Sequence, residues 1–273
     1  MKKTIFWILA VVITLTSAYY QRKTGPNHPK NVKITLSDET LKFKLIRSGD
    51  SNEDLVIKIP QFDENYQAFL NYRLFPLNES FTAIAFINNG EELVAHLPKQ
   101  PPAGKLEYYV SFNNLENNSS IDTVHVVTRF KGTVPGWALI PHVILMFIAM
   151  LLSNLAGLFA IGKIEKHVFY GNLTFILFLL GGMVFGPIVQ LYAFGEAWTG
   201  VPFGWDLTDN KTLIAVIFWL VAVLGNRKNP KYRYTIIASI VLLLIYLIPH
   251  SMFGSELDYE SGKVMTGFIN LFI

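Results

Sequence analysis

Two histidines and one loop hold most of the side chains in this sequence that could do chemistry. His142 falls in the apolar run "PHVILMFIAMLL", His250 closes another with "IPH", and between them Trp198 to Trp219 reads "WTGVPFGWDLTDNKTLIAVIFW". A neutral imidazole is the commonest metal ligand, and two of them facing each other across a helical bundle can hold a b-type haem from both sides. The rival chemistry is a bare divalent metal held by mixed nitrogen and oxygen donors, His142 and His250 with Asp206 and Glu256. The chain has no cysteine, which removes disulfides, thiolate nucleophiles, iron–sulfur clusters and cysteine zinc sites. It also lacks a phosphate-binding loop, a dinucleotide fingerprint, a serine elbow and a His-Glu-x-x-His run. No catalytic residue is assigned.

These side chains need apolar helices to position them. Of 273 residues, 51% are hydrophobic and 16% charged, with 21 Phe and 12 Tyr, which is too apolar for one ordinary soluble domain. Four long apolar segments follow "KGTVPGW": Trp137 to Ile161, Phe169 to Phe194, Thr212 to Leu224 with its flanks, and Tyr234 to Pro249. Each reaches or approaches the length that spans a hydrocarbon core of about 30 Å. Lys163 and Lys166, the run Arg227 to Arg233, and Lys2 with Lys3 mark the cytoplasmic side by the positive-inside rule. His142, the loop around Asp206 and the end after His250 then share the exported side. His142 sits roughly 9 Å into its helix at about 1.5 Å per residue. His167, in the basic loop, reads as a solvated residue.

Between Pro26 and Lys131 the pattern changes to short runs of period 2, among them "NVKITL", "DLVIKIP", "AFLNYRLF", "KLEYYVSF" and "DTVHVVTRF", broken by Asn, Gly, Asp and Pro clusters. Seven or eight such strands in one stretch predict an antiparallel sandwich. The expected fold class is therefore a membrane α-helical bundle of four helices plus an N-terminal anchor, with an exported all-β sandwich of immunoglobulin or fibronectin type. The boundaries are 1–23 for a membrane anchor or signal peptide, 24–133 for the sandwich, 134–253 for the bundle and 254–273 for an exported tail.

Plain structural roles compete with the chemical ones. His142 can hydrogen-bond a neighbouring helix and His250 can sit at the membrane interface. Asp209 or Thr208 can cap a helix beginning near Asn210, while Trp198, Phe203 and Trp205 can form an aromatic belt. Gly181, Gly182 and Gly186 permit close helix approach, and Pro187 introduces a kink. In the sharper reading Trp198 and Trp205 pack against a cofactor edge, Asp206 orients a ligand or propionate, and Gln190 hydrogen-bonds one.

Three resemblances bear on the choice. "EELVAHLPKQPPAGKLEYYVSF" resembles a corner of fibronectin-like bacterial modules. "PHVILMFIAMLL" and the tail "HSMFGSELDYESGKV", with His250, Gly254, Tyr259 and Gly262, resemble the opening and closing helices of a four-helix bacterial membrane family of unknown function. Members of that family look similar to small cytochrome-b-like bundles, which implies haem. "GWDLTDNKTLIAVIFWL" is similar to the tryptophan-rich, outward-facing haem-handling loop of cytochrome c assembly proteins, with Trp205, Asp206 and Asp209 at matching positions. Leu207 replaces that loop's Pro, and Phe203 replaces a Trp. The resemblances imply haem b, with His142 and His250 as axial ligands.

The sequence thus predicts a multi-pass protein of a bacterial inner membrane that binds haem b or a metal at its outer face for electron transfer. The alternative is a non-enzymatic scaffold or assembly subunit that docks partners through its exported domain. The expected partners are membrane lipids and a membrane or exported protein. A net charge of +3 gives no ground for nucleic acid.

Overall fold

Alternation between apolar and polar residues in the first half produces strands with one buried face. The clearest case is the strand Lys105–Asn114, where Leu106, Tyr108, Val110 and Phe112 all turn inward. In the computed structural model, which describes residues 1–37, 39–249 and 254–266 (Thr266 by its backbone only), the chain divides into two compact units. Residues 1–26 and 134–255 form a helical unit, and residues 27–133 with 256–265 form a strand unit. His250 lies outside the described residues.

The strands in chain order are β1 (Lys30–Leu36), β2 (Glu39–Leu45), β3 (Ser48–Asp50), β4 (Leu55–Ile59), β5 (Tyr66–Leu74), β6 (Thr82–Ala85) and β7 (Ile87–Asn88). They continue as β8 (Leu93–Leu97), β9 (Lys105–Asn114), β10 (Ser120–Asp122), β11 (Val126–Lys131), β12 (Ser255–Leu257) and β13 (Val264–Thr266). β1 and β2 form a two-stranded sheet, β4, β8 and β7 a three-stranded one, and β12 and β13 another pair. A six-stranded sheet runs β3-β11-β9-β5-β6, with β10 added on β9. Its centre is the long antiparallel pairing of β5 with β9, from Tyr66 opposite Asn114 to Leu74 opposite Leu106, whereas β3 lies parallel to β11. The inward faces meet around Phe112, whose ring lies 5.2 Å from Phe62 and 6.2 Å from Phe43.

The helical unit contains α1 (Lys2–Thr24), α2 (Gly136–Ile161) and one continuous helix His167–Phe194, followed by α5 (Leu207–Gly225) and α6 (Tyr232–Leu247). The continuous helix consists of α3 (His167–Phe178), a π-helical stretch Leu179–Phe185 and α4 (Gly186–Phe194). Pro187 has no N–H to offer the carbonyl one turn back, and the helix accommodates it at the first turn of α4, directly after the π stretch. By length and composition α1, α2, His167–Phe194 and α5 are apolar enough to cross a membrane. α6, at 16 residues, is shorter than the roughly 20 a full crossing needs. Polar side chains join the helices: Asn154 Nδ2 donates to Thr14 Oγ1 at 3.0 Å, and Ser239 Oγ donates to the Ser153 carbonyl at 2.8 Å. Trp219 is fully buried among Phe178, Leu242 and a set of alanines.

The architecture corrects the fold class expected from sequence. The described residues form a mixed helix-and-strand protein with five helices and several sheets, not an all-β sandwich of immunoglobulin or fibronectin type carried on a membrane bundle. Period-2 patterning fixes which face of a strand is buried but not which strand lies beside it. Here the strands sort into separate sheets, include a parallel pair, and draw residues 256–265 of the tail into the strand unit. His167 is a second correction: it is 1% exposed at the start of α3, with Nδ1 2.8 Å from Thr235 Oγ1, and is not a solvated loop residue.

Phe112 is the residue on which the strand unit's core is most exposed to test. Phe112→Ala should cost about 3–5 kcal/mol, measured by urea unfolding of the full chain followed by β-type circular dichroism. A loss under about 1 kcal/mol would show that the core closes without it.

Candidate functional site

α4 ends at Gly195, which adopts φ 85, and the chain then folds back over residues 196–206 before α5 begins. The fold-back is held by two carboxylates. Asp206, 3% exposed, is the N-cap of α5: its Oδ1 accepts from the Thr208 amide at 2.7 Å and the Asp209 amide at 3.3 Å. Its Oδ2 accepts from the amide and hydroxyl of Ser255 at 3.1 and 3.3 Å. The helix therefore begins at Leu207 under an Asp206 cap, not near Asn210 under Asp209 or Thr208 as the sequence suggests.

Asp209, one turn further on, has a different task. Its Oδ2 accepts from the Thr199 amide at 2.6 Å, the Gln190 amide group at 3.0 Å and the Thr199 hydroxyl at 3.2 Å. Asn210 Oδ1 accepts from the Val201 amide at 2.8 Å, and the Asp206 amide donates to the Thr199 carbonyl at 3.0 Å. Gly200 is required by this closeness, since a Cβ there would lie 2.6 Å from Asp209 Cβ. The cluster is a buried, mutually satisfied network, the arrangement in which low dielectric strengthens each hydrogen bond.

Of the residues singled out in the sequence, Gln190, Asp206 and Asp209 belong to this network. Trp198 stays within the loop, donating from Nε1 to the Val201 carbonyl at 3.2 Å. Trp205 is 70% exposed and Phe203 83%, so Trp205 does not pack against a site as expected. Glu256, the rival metal donor, instead makes an ion pair with Lys105 at 2.5 Å in the strand unit. There Tyr259 receives the Lys105 amide at 3.0 Å, and burial pushes its phenol up to about 12. Among the described residues no group of three or more His, Asp or Glu side chains is placed to hold a metal ion.

His142 lies elsewhere in the helical unit. Its Nδ1 is 2.8 Å from the Gly181 carbonyl, which also receives the Gly186 amide across the π turn. A carbonyl only accepts, so in the neutral ring Nδ1 carries the proton and Nε2 keeps its lone pair. The approach needs Gly181, where a Cβ would lie 2.9 Å from Leu145 Cβ on α2. His142 lines a cavity of about 150 Å³ together with Lys211, Gln21 and apolar residues of α2, α3 and α6. That volume is well under the roughly 300–1,000 Å³ of ordinary small-molecule sites, so the cavity as it stands does not fit a porphyrin. The expected partner ligand, His250, lies outside the described residues, and the axial pair draws no support here.

Sequence reasoning passed over Lys211 and a surface cluster in the strand unit. Lys211 is 6% exposed, and a lone lysine in "DNKTLIAV" at the head of an apolar helix was signal enough. In the cluster, Glu107 accepts from Arg73 Nε at 2.7 Å and faces His125 Nδ1 at 3.0 Å, while His125 stacks on Tyr109 at 4.3 Å. Burial pushes the Glu107 carboxyl up, but its hydrogen bonds with Arg73 and His125 outweigh this and hold it below the usual range. No local pattern announces that cluster, because Arg73 and Glu107 are brought together by the β5–β9 register.

No family model and no curated protein matches this chain. Among solved structures, a β-1,2-glucanase from Parabacteroides distasonis is similar over 72% of this chain and 33% of that one, at 10% identity and a TM-score of 0.22. The chain thus spans about a third of that enzyme's length, and a likeness of this size carries no argument about fold or activity. None of the comparisons bears on cytochrome-b-like bundles or cytochrome c assembly proteins.

Asp209→Ala should destabilise the helical unit by about 1–3 kcal/mol, because it leaves the buried Thr199 amide without an acceptor and takes from Gln190 one of its two, the Thr199 hydroxyl remaining. Asp209→Asn, which keeps one oxygen, should cost less. Thermal unfolding in detergent reads both, and equal stability of all three proteins would contradict a structural role for the carboxylate.

Proposed function

We propose that the chain crosses a bacterial inner membrane through its apolar helices and serves there as a non-enzymatic scaffold or assembly subunit. The basic loops Lys163 to Lys166 and Arg227 to Arg233 put the loop of residues 196–206 on the exported side by the positive-inside rule. The observation that carries the reading is how that loop distributes its side chains. Its polar groups are turned inward and spent on one another, while Phe203 and Trp205 are held outward, 83% and 70% exposed. Aromatic side chains displayed on a rigid, internally bonded support are the usual anchors of protein interfaces. An apolar surface on a partner membrane protein is the occupant that complements them. Electron transfer through haem b is supported less well, since Asp206 and Gln190 are committed to the loop and Trp205 faces away from it.

The full chain, extracted from its native membrane in mild detergent, should migrate with a partner membrane protein at constant ratio and without a Soret band. The double variant Phe203→Ser/Trp205→Ser should insert and melt like the wild type but migrate alone. A wild-type chain that is solitary and haem-coloured would reverse the choice of function, and a double variant that keeps its partner would move the interface elsewhere.

A further inference from the structure

Lys211 sets a problem of charge. It is 6% exposed, and its ammonium group donates to the carbonyls of Ile248 at 3.0 Å and Pro249 at 3.4 Å, just beyond the end of α6. Those contacts suit a cation at a helix C-terminus. They leave one N–H of the three unspent, and no carboxylate lies within ion-pair distance among the described residues. Asp206, at the cap of the same helix, acts on Lys211 only from beyond ion-pair distance; a buried ammonium with no anion in contact is costly, and an anionic or acceptor group beside it relieves that cost.

The same cavity supplies the complement. His142 lines it from α2 with Nδ1 committed to the Gly181 carbonyl, so the neutral ring has an acceptor, Nε2, to offer in a cavity that is also lined by a donor residue, Lys211. A carboxylic acid satisfies both: its carbonyl accepts from Lys211 and its hydroxyl donates to His142. An ionised carboxylate does the same when the ring is protonated. The remaining wall is apolar, including Met146, Phe178 and Leu242. At ~30 Å³ per water-sized group, about 150 Å³ holds the acid head and its first few carbons. A longer chain must leave the cavity. Val143 and Phe147, which edge it, are 41% and 39% exposed, so the exit runs between apolar side chains on the outside of the helices.

We infer that this cavity binds the head of a long-chain carboxylic acid, a fatty acid or a close chemical relative, with Lys211 and His142 on the acid and the hydrocarbon tail passing out over Val143 and Phe147. The acid enters sideways from the lipid, which rests on the membrane crossing proposed above but not on the scaffold role. Apolar walls with a few convergent polar groups are the ordinary form of a small-ligand site.

The probe is radiolabelled oleic acid, titrated against the purified full chain in detergent. Expected are saturable binding of one molecule per chain, displacement by unlabelled oleic acid, and none by oleyl alcohol at the same concentration. Lys211→Met removes a charge-assisted hydrogen bond and should weaken binding about tenfold or more. Because that variant also uncaps α6, Val143→Trp provides an independent test: it obstructs the exit from an exposed position and should weaken binding as much while melting like the wild type. Absence of saturable binding, equal displacement by the alcohol, or an unchanged Kd in Val143→Trp would each overturn the inference. Loss of the partner complex with oleate binding intact would reject the scaffold role alone.

Discussion

The loop ahead of α5 depends on the carboxylate of Asp209. A buried carboxylate needs hydrogen-bond donors, and Oδ2 of this one is met by Thr199 and Gln190, so the backbone returning from α4 has to close over the start of α5. Asp206 applies the same constraint one turn earlier. It caps α5 with one oxygen and takes Ser255 with the other, which ties the head of that helix to the segment that follows α6. With both carboxylates engaged, Gly200 can approach Asp209 and the side chains of Phe203 and Trp205 have only the outside left to occupy.

The same rule governs the middle of the helical unit. Pro187 deprives the helix of an amide, the π stretch before it resets the carbonyl pattern, and the Gly181 carbonyl serves both the Gly186 amide and His142. The imidazole is thereby fixed in one tautomer and turned toward the cavity it shares with Lys211. In an apolar setting such local satisfactions set the geometry more firmly than packing of interchangeable aliphatic side chains does.

Much of this was legible in the sequence at the level of elements and little at the level of partners. "KLEYYVSF" announces a strand with Leu106, Tyr108, Val110 and Phe112 on one face, and that is what β9 is. Its neighbours were not legible, because β9 pairs with β5 across some 40 residues, as the bond from Asn71 to Ser111 illustrates, and alternation carries no information about such a choice. The sandwich inferred from spacing therefore gave way to separate sheets and to tail strands drawn into the strand unit. At the loop, the sequence offers Asp206 as ligand support and places the helix cap at Asp209 or Thr208. What separates these readings is the Ser255 amide, 49 residues away. The π turn was visible only as a kink at Pro187, and the bond its Gly181 carbonyl makes with His142 joins residues 39 apart.

The central claim is that the loop of residues 196–206 is a closed, self-satisfied structure rather than an open set of ligands. Hydrogen–deuterium exchange of the full chain in lipid nanodiscs tests it most directly at the Thr199 amide, whose proton goes to Asp209. The account predicts protection at Thr199 comparable to that of amides in the first turns of α5. Exchange at the rate of an unstructured segment would contradict it, and would return Asp206, Asp209 and Gln190 to the role of free ligands.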